Sequence, residues 1–424
     1  MNKITTLSNG LRVVTEEFKS RQSIAIGFWV GVGGRFESDP LKGAAHFLEH
    51  IVFKGSKKYS CGQIKEKIEG VGGALNAFTG EEQTCYYAKI PSQHLETTFD
   101  VLADMVFFPK ITPTDVKKES TVIIEEIKMY NDLPQYHALE LLDQLVWPGH
   151  PLGKGLAGSK ETVASMTNQD LKAFHKLHYS PGNIVVSACG NISHARLVKM
   201  VKAKIGTAGA KRTSEFKKCT AIQSSPRAKY AKRPIEQMHM ALGAPGIDVH
   251  SKDKYVLALL NTILGGNMSS RLFVEIREKK GLAYSISSSA KCLQDTGMFL
   301  IRAGVDNLKI VGALSVIFKE LERIKKTNVS ADEFKRAKDY VLGQLLLGLE
   351  DTMDNMLWIA EEVTTRNKVR TLKTIVDEFK KIKPADIKRL ANIIFDKNKY
   401  NLAVVGPLTP KQEKDLNQLM NIDS

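Results

Sequence analysis

The chain has 424 residues, 43% of them hydrophobic and 25% charged, and carries a formal net charge of +15. That length outgrows one hydrophobic core and suits a soluble protein of two or more domains. No run of about 18 apolar residues is available to span a bilayer, and the N-terminal stretch lacks the apolar core of a secretion signal. Five cysteines, at 61, 85, 189, 219 and 292, include no Cys-x-x-Cys pair and leave an odd one, so a reducing, cytoplasmic setting is expected.

The positive charge is concentrated. Residues 211–233 hold Lys211, Arg212, Lys217, Lys218, Arg227, Lys229, Lys232 and Arg233 against the single acid Glu215, which is +7 of the total. Ser224-Ser225-Pro226 lies inside that stretch and no helical period runs through it. It reads as a solvated linker at 216–234, not a nucleic-acid arm, because no basic helix carries the charges.

In chain order, strands are predicted at 11–15 and 23–32, with turns at 9–10 and 19–22. Helices follow at 41–53 and 63–69, then a hairpin of 74–78 with 84–90. A long helical region at 114–145 and a closing strand at 183–189 complete residues 1–215. The second half, 235–424, has predicted strands at 236–243, 283–290 and 297–304. Its helices are predicted at 253–264, 270–279, 307–326, 331–350 and 371–395.

The two halves share a plan at an offset of 216 residues. Ala25-Ile26-Gly27 falls opposite Ala241-Leu242-Gly243, and Ser187-Ala188-Cys189-Gly190 opposite Ala403-Val404-Val405-Gly406. Strands clustered apart from helices give an α+β class: two homologous halves, each an antiparallel-rich sheet with helices on one face.

The chemistry is concentrated in Gly43-Ala44-Ala45-His46-Phe47-Leu48-Glu49-His50-Ile51-Val52-Phe53-Lys54-Gly55. Positions i and i+4 share a helix face, so His46 and His50 can grip one metal ion with Glu49 beside it. Two imidazoles leave room for a carboxylate and a water, the donor set of a catalytic zinc site. His-x-x-Glu-His is the inverzincin order of the zinc-protease motif. Opposite His46, Glu49 and His50 at the offset of 216 stand Thr262, Gly265 and Gly266, which cannot bind zinc. Further along, Glu119, Ile123, Glu126 and Tyr130 recur at helical spacing and form one stripe, whose buried carboxylates need a cationic partner.

The run from Gly43 to Gly55 resembles the active-site helix of the pitrilysin-type zinc metallopeptidases. Two more segments resemble the family, Gly72-Gly73-Ala74-Leu75-Asn76-Ala77-Phe78-Thr79 and the stretch from Ser269 to Ser285 that holds Arg277, Gly281 and Tyr284. Overall the chain looks closest to bacterial and archaeal relatives of the mitochondrial processing peptidase β subunit. The resemblance implies zinc held by His46, His50 and Glu126, with Glu49 as general base and Glu119 orienting the site. It implies that Asn76 and Ala77 bind substrate as an added strand, and that Arg277 and Tyr284 reach the scissile region from the metal-free half. It implies two halves facing each other around a peptide chamber, unfolded peptides as substrates, and a homodimer or a heterodimer with a related subunit. A non-catalytic subunit of such an assembly is the alternative.

Overall fold

The computed structural model describes residues 2–206, 214–220 and 222–422; Lys211 and Arg212 of the basic stretch lie outside them. Strands β1 (Lys3–Thr6), β2 (Arg12–Glu17) and β3 (Ser23–Val30) lead into helices α1 (Ala44–Val52) and α2 (Cys61–Glu69). The hairpin β4 (Ala74–Thr79) and β5 (Thr84–Pro91) precedes α3 (Leu95–Phe107), α4 (Pro113–Asp132), α5 (Pro134–Val146), α6 (Lys160–Ser165) and α7 (Asn168–His178). Then come β6 (Ile184–Gly190), α8 (His194–Ile205), β7 (Arg227–Lys232), β8 (Gln237–Pro245) and α9 (Lys254–Leu264). A π-helical turn, Phe273–Lys279, leads to β9 (Ala283–Cys292) and β10 (Gly297–Asp306). Helices α10 (Ile310–Lys326), α11 (Ala331–Gly348), α12 (Thr352–Arg366), α13 (Leu372–Lys381) and α14 (Pro384–Ile394), strand β11 (Asn401–Gly406) and helix α15 (Pro410–Met420) complete the chain.

Two mixed sheets result, in the orders β1-β2-β6-β3-β5-β4 and β7-β11-β8-β10-β9. Apart from the extra edge strand β1 the two orders correspond strand for strand. In each, one pair is parallel (β2 with β6, β7 with β11) and the rest are antiparallel. The 216-residue offset carries α7 onto α14 residue for residue, and β6 onto β11 to within one residue. Two similar halves are therefore built on one plan.

The compact units do not follow the midpoint of the chain. The first comprises 1–127, 155–217 and 346–370; the second comprises 128–154, 218–345 and 371–424. Each unit thus takes a helix from the other half of the sequence, α12 in the first unit and α5 in the second. The reason is written into β3, whose residues from Ile24 to Val30 are all buried. Ile24, Ile26 and Phe28 join a core with α1, α2, α3, α7 and α8. Ala25 and Trp29, on the opposite pleat, pack with Met356, Ile359, Ala360 and Val363 of α12. Burying each of those large apolar side chains contributes about 1.5–3 kcal/mol. Gly27 leaves the space the helix needs, since a Cβ there would stand 2.9 Å from Met356 Sδ. In the second unit Leu141 and Leu142 of α5 pack on Ala241, Met298, Ala403 and Val405. Each sheet therefore has a helix on the face that the sequence reading left open.

Several predicted elements divide or shift. The long helix expected at 114–145 breaks at Leu133, which is extended (ψ 106°) because Pro134 follows it. The helix expected at 371–395 breaks likewise at Lys383, before Pro384. The segment expected as a linker at 216–234 contains β7, and its basic side chains have structural partners. Arg227 donates to Leu145 O at the C-terminal end of α5 (2.6 Å), and Arg233 to Asn131 O (2.6 Å). Lys229 reaches Gln144 and Lys232 pairs with Glu413.

Candidate metal centre and active site

Helix α1 packs into the main hydrophobic core of the first unit. Ala44, Ala45, Phe47, Leu48, Ile51 and Val52 are buried, which leaves His46, Glu49 and His50 on the remaining face. Its N-terminus has no side-chain cap of its own, since Gly43 precedes it in a left-handed conformation (φ +100°). A Cβ at Gly43 would also lie 2.5 Å from Ala157 O, so glycine is required there. The cap comes from Glu37, whose carboxylate accepts from Gly43 N (3.0 Å) and Ala45 N (2.7 Å) and pairs with Lys42 Nζ (3.2 Å). This buried charge meets the positive end of the helix that carries the site. Glu37 was not singled out in the sequence; its signal is an acid a few residues ahead of a helix that begins with glycine. Glu37→Ala removes one partner of a buried pair. It is expected to lower stability by about 3 kcal/mol and to loosen metal retention, measured by urea unfolding and metal analysis.

Helix α4 brings the third donor. Glu119 and Ile123 are buried on it, and Glu126 follows on the same stripe; Tyr130 departs from the expected inward stripe, being 40% exposed. Glu126 Oε2 lies 3.4 Å from His50 Nε2 and 3.7 Å from His46 Nε2. The donor atoms of the three residues all lie within 4.8 Å of one another. Two ligands of a tetrahedral zinc ion at about 2.1 Å stand about 3.4 Å apart, so this trio fits such an ion. Glu119 Oε2 approaches His50 Nδ1 (3.3 Å), and its other oxygen binds Lys54 Nζ (2.6 Å). That chain sets the His50 ring with Nε2 toward Glu126.

The electrostatics suit a cation. Burial, assisted by the neighbouring His50, lowers the His46 pKa to about 4, so its imidazole is neutral and ready to ligate. Burial opposes the His50 imidazolium too, but hydrogen bonding to Glu126 and Glu119 outweighs it and raises that pKa. The hydrogen bond from His50 holds the Glu126 carboxyl below its usual range. Glu49 is a fourth group, outside the converging trio. Burial raises its pKa, and Thr79 Oγ1 donates to its Oε2 at 2.6 Å.

Strand β4 ends its sheet, with only β5 beside it. Asn76 and Ala77 lie on it, and Asn76 Oδ1 accepts from Ala77 N (2.8 Å). In the second unit Arg277 and Tyr284 meet. The Arg277 guanidinium lies 4.9 Å from the Phe273 ring centre and 5.5 Å from that of Tyr284. Tyr284 itself is 73% exposed.

Residues 12–160 match the family described as insulinase (peptidase family M16), and residues 165–341 match the peptidase M16 inactive domain. The chain is 36% identical over 407 residues to an uncharacterized zinc protease of Bacillus subtilis, covering 96% of this chain and 98% of the relative. It is 35% identical over 418 residues to an uncharacterized zinc protease of Streptomyces coelicolor, covering 97% and 91%. The crystal structure of a protease from Helicobacter pylori superposes with a TM-score of 0.91 at 25% identity, over 96% of this chain and 99% of that one. A peptidase M16 inactive domain structure from Pseudomonas fluorescens shares the fold, with a TM-score of 0.89 at 19% identity. With its inverted histidine motif, its carboxylate on a following helix and relatives matched over nearly its whole length, the chain belongs to peptidase family M16.

Proposed function

We propose that this protein is a zinc-dependent endopeptidase acting on unfolded peptides, with Glu49 as general base. The observation that carries the reading is Glu49 itself. A half-buried carboxylate of raised pKa stands beside three converging donors without being one of them. Held by His46, His50 and Glu126, zinc would polarise the scissile carbonyl and acidify a water. Glu49 accepts the proton of the attacking water and returns it to the departing amine nitrogen. Glu119 keeps the His50 ring in place through Nδ1.

Substrate lies along the open edge of β4 as an added strand, which reads backbone and so accepts many sequences. Asn76 yields the Ala77 N–H to the peptide and takes a substrate carbonyl. From the second unit we assign Arg277 to substrate carbonyls and Tyr284 to the developing oxyanion, following the family resemblance. Tyr284→Phe is expected to lower kcat by about 10-fold, the worth of roughly one hydrogen bond, with zinc content unchanged. Equal kcat for the two proteins would remove Tyr284 from the reaction.

We also propose a homodimer, or a pair with one related subunit, in a cytoplasm that keeps the free cysteines reduced; sedimentation measures the first. Among the described residues no helix is long and apolar enough to cross a membrane. The deciding experiment is incubation of the purified protein with mixed peptides, with and without a chelator, read by mass spectrometry. Chelator-sensitive internal cleavage is expected. Intact peptides in both arms would favour the alternative, a subunit without catalysis.

A further inference from the structure

The segment from Gly33 to Glu37 ties two parts of the site to one frame. Gly34 N donates to Gly80 O (3.2 Å) and Arg35 N to Glu81 O (2.8 Å), so this segment holds the turn of the β4–β5 hairpin. The buried Arg35 guanidinium strengthens the grip through Glu82 (2.6 Å) and lies over the Phe216 ring at 4.0 Å. Two residues on, Glu37 caps α1. Helix α1 and the end of β4 are therefore registered to the same short stretch of backbone. Where they meet, Thr79 Oγ1 donates to Glu49 Oε2 at 2.6 Å. Thr79 is the last residue of the strand that carries Asn76 and Ala77. Leu75 and Ala77, on the same pleat as Thr79, pack toward the core that contains α1.

We propose that Thr79 is the positioning residue of the general base, and that it links the seating of a peptide on β4 to the aim of Glu49. The hydroxyl occupies one carboxylate oxygen and fixes the rotation of the side chain, so that Oε1 serves the water. The strand on which a peptide would add ends in the residue that holds the base, so substrate and base are set by one stretch of backbone. This rests on the peptidase reading above and adds to it a route from substrate binding to base position.

The test compares Thr79→Val, which keeps the shape and removes the hydroxyl, with Thr79→Ser, which keeps the hydroxyl. On zinc-loaded full-length protein, Thr79→Val is expected to lower kcat by about 10- to 100-fold, the usual loss when a reacting group is misplaced by a fraction of its length. KM and zinc content stay at the parent values, and Thr79→Ser returns kcat to near the parent rate. In a Glu49→Gln background, Thr79→Val has no further effect, because the group it positions is gone. A readout apart from activity is the carbon-13 carboxyl shift of labelled Glu49, assigned by its absence in Glu49→Gln. It is expected to move in Thr79→Val and not in Thr79→Ser. Parent-like kcat in Thr79→Val, a serine variant as slow as the valine one, or an unmoved carboxyl shift overturns the role of Thr79 while leaving the peptidase intact. No peptide cleavage by the parent protein overturns the peptidase reading and the role together.

Discussion

Glu49→Gln is expected to lower peptide hydrolysis by at least ~100-fold, the usual worth of acid–base catalysis, with zinc content near that of the parent. Glutamine has the same shape, and its carbonyl oxygen can still accept from Thr79. Helix α1 keeps its buried face, so His46 and His50 stay where they are. What disappears is the carboxylate to which the proposed mechanism gives the proton of the water. Steady-state kinetics with metal analysis on the same samples checks this. A variant that cleaves peptides at the parent rate would show that the base lies elsewhere.

Removal of a metal donor has a different signature. His50→Ala and Glu126→Gln are each expected to lose zinc together with activity, because two protein donors hold the ion far more weakly than three. Protons compete for the same atoms, and the sign follows from the pKa directions. His50 has its pKa raised in the metal-free protein, so at mildly acidic pH it holds a proton that zinc displaces. His46, with its pKa lowered to about 4, holds none until the solution is far more acidic. Zinc affinity is therefore expected to fall about tenfold per pH unit below the His50 pKa, and more steeply only below about pH 4. Zinc titration by calorimetry in a series of buffers measures the slope. An affinity independent of pH through the histidine range would remove His50 from the donor set.

The placing of His46, Glu49 and His50 on one helix face was legible because they are neighbours on one turn, where spacing alone places them. The grouping of Glu126 with the histidines followed from the resemblance, and the structure puts its oxygen against both rings. Glu37 escaped notice because its capping partners are the backbone amides of Gly43 and Ala45, and an acid six residues ahead of a glycine-started helix is only a faint signal. Helix α3 was missed for a physical reason: every residue from Val101 to Val106 is buried, so its apolar period is blurred in its second half. Strands β1 (Lys-Ile-Thr-Thr) and β7 (Arg-Ala-Lys-Tyr-Ala-Lys) are edges with polar residues on both pleats, and lack the alternation that marks a half-buried strand. Helix α12 was not predicted, although Met356, Ile359, Ala360 and Val363 make a stripe along it. What no local pattern disclosed is which sheet that stripe would cover.

That choice of sheet has a consequence for synthesis. The last strand of the first unit ends at Gly190, yet the helix that covers Ala25 and Trp29 ends at Arg366. At about 5–20 residues per second, the 176 residues between them take a ribosome roughly 9–35 s to make. Throughout that interval the sheet bearing the metal helix has emerged with one apolar face bare. The second sheet inherits the opposite order, since α5 is made before any strand it covers. A nascent chain of this protein is thus half-dressed until late in translation, and a messenger cut short before α12 yields a zinc motif on a sheet prone to aggregate.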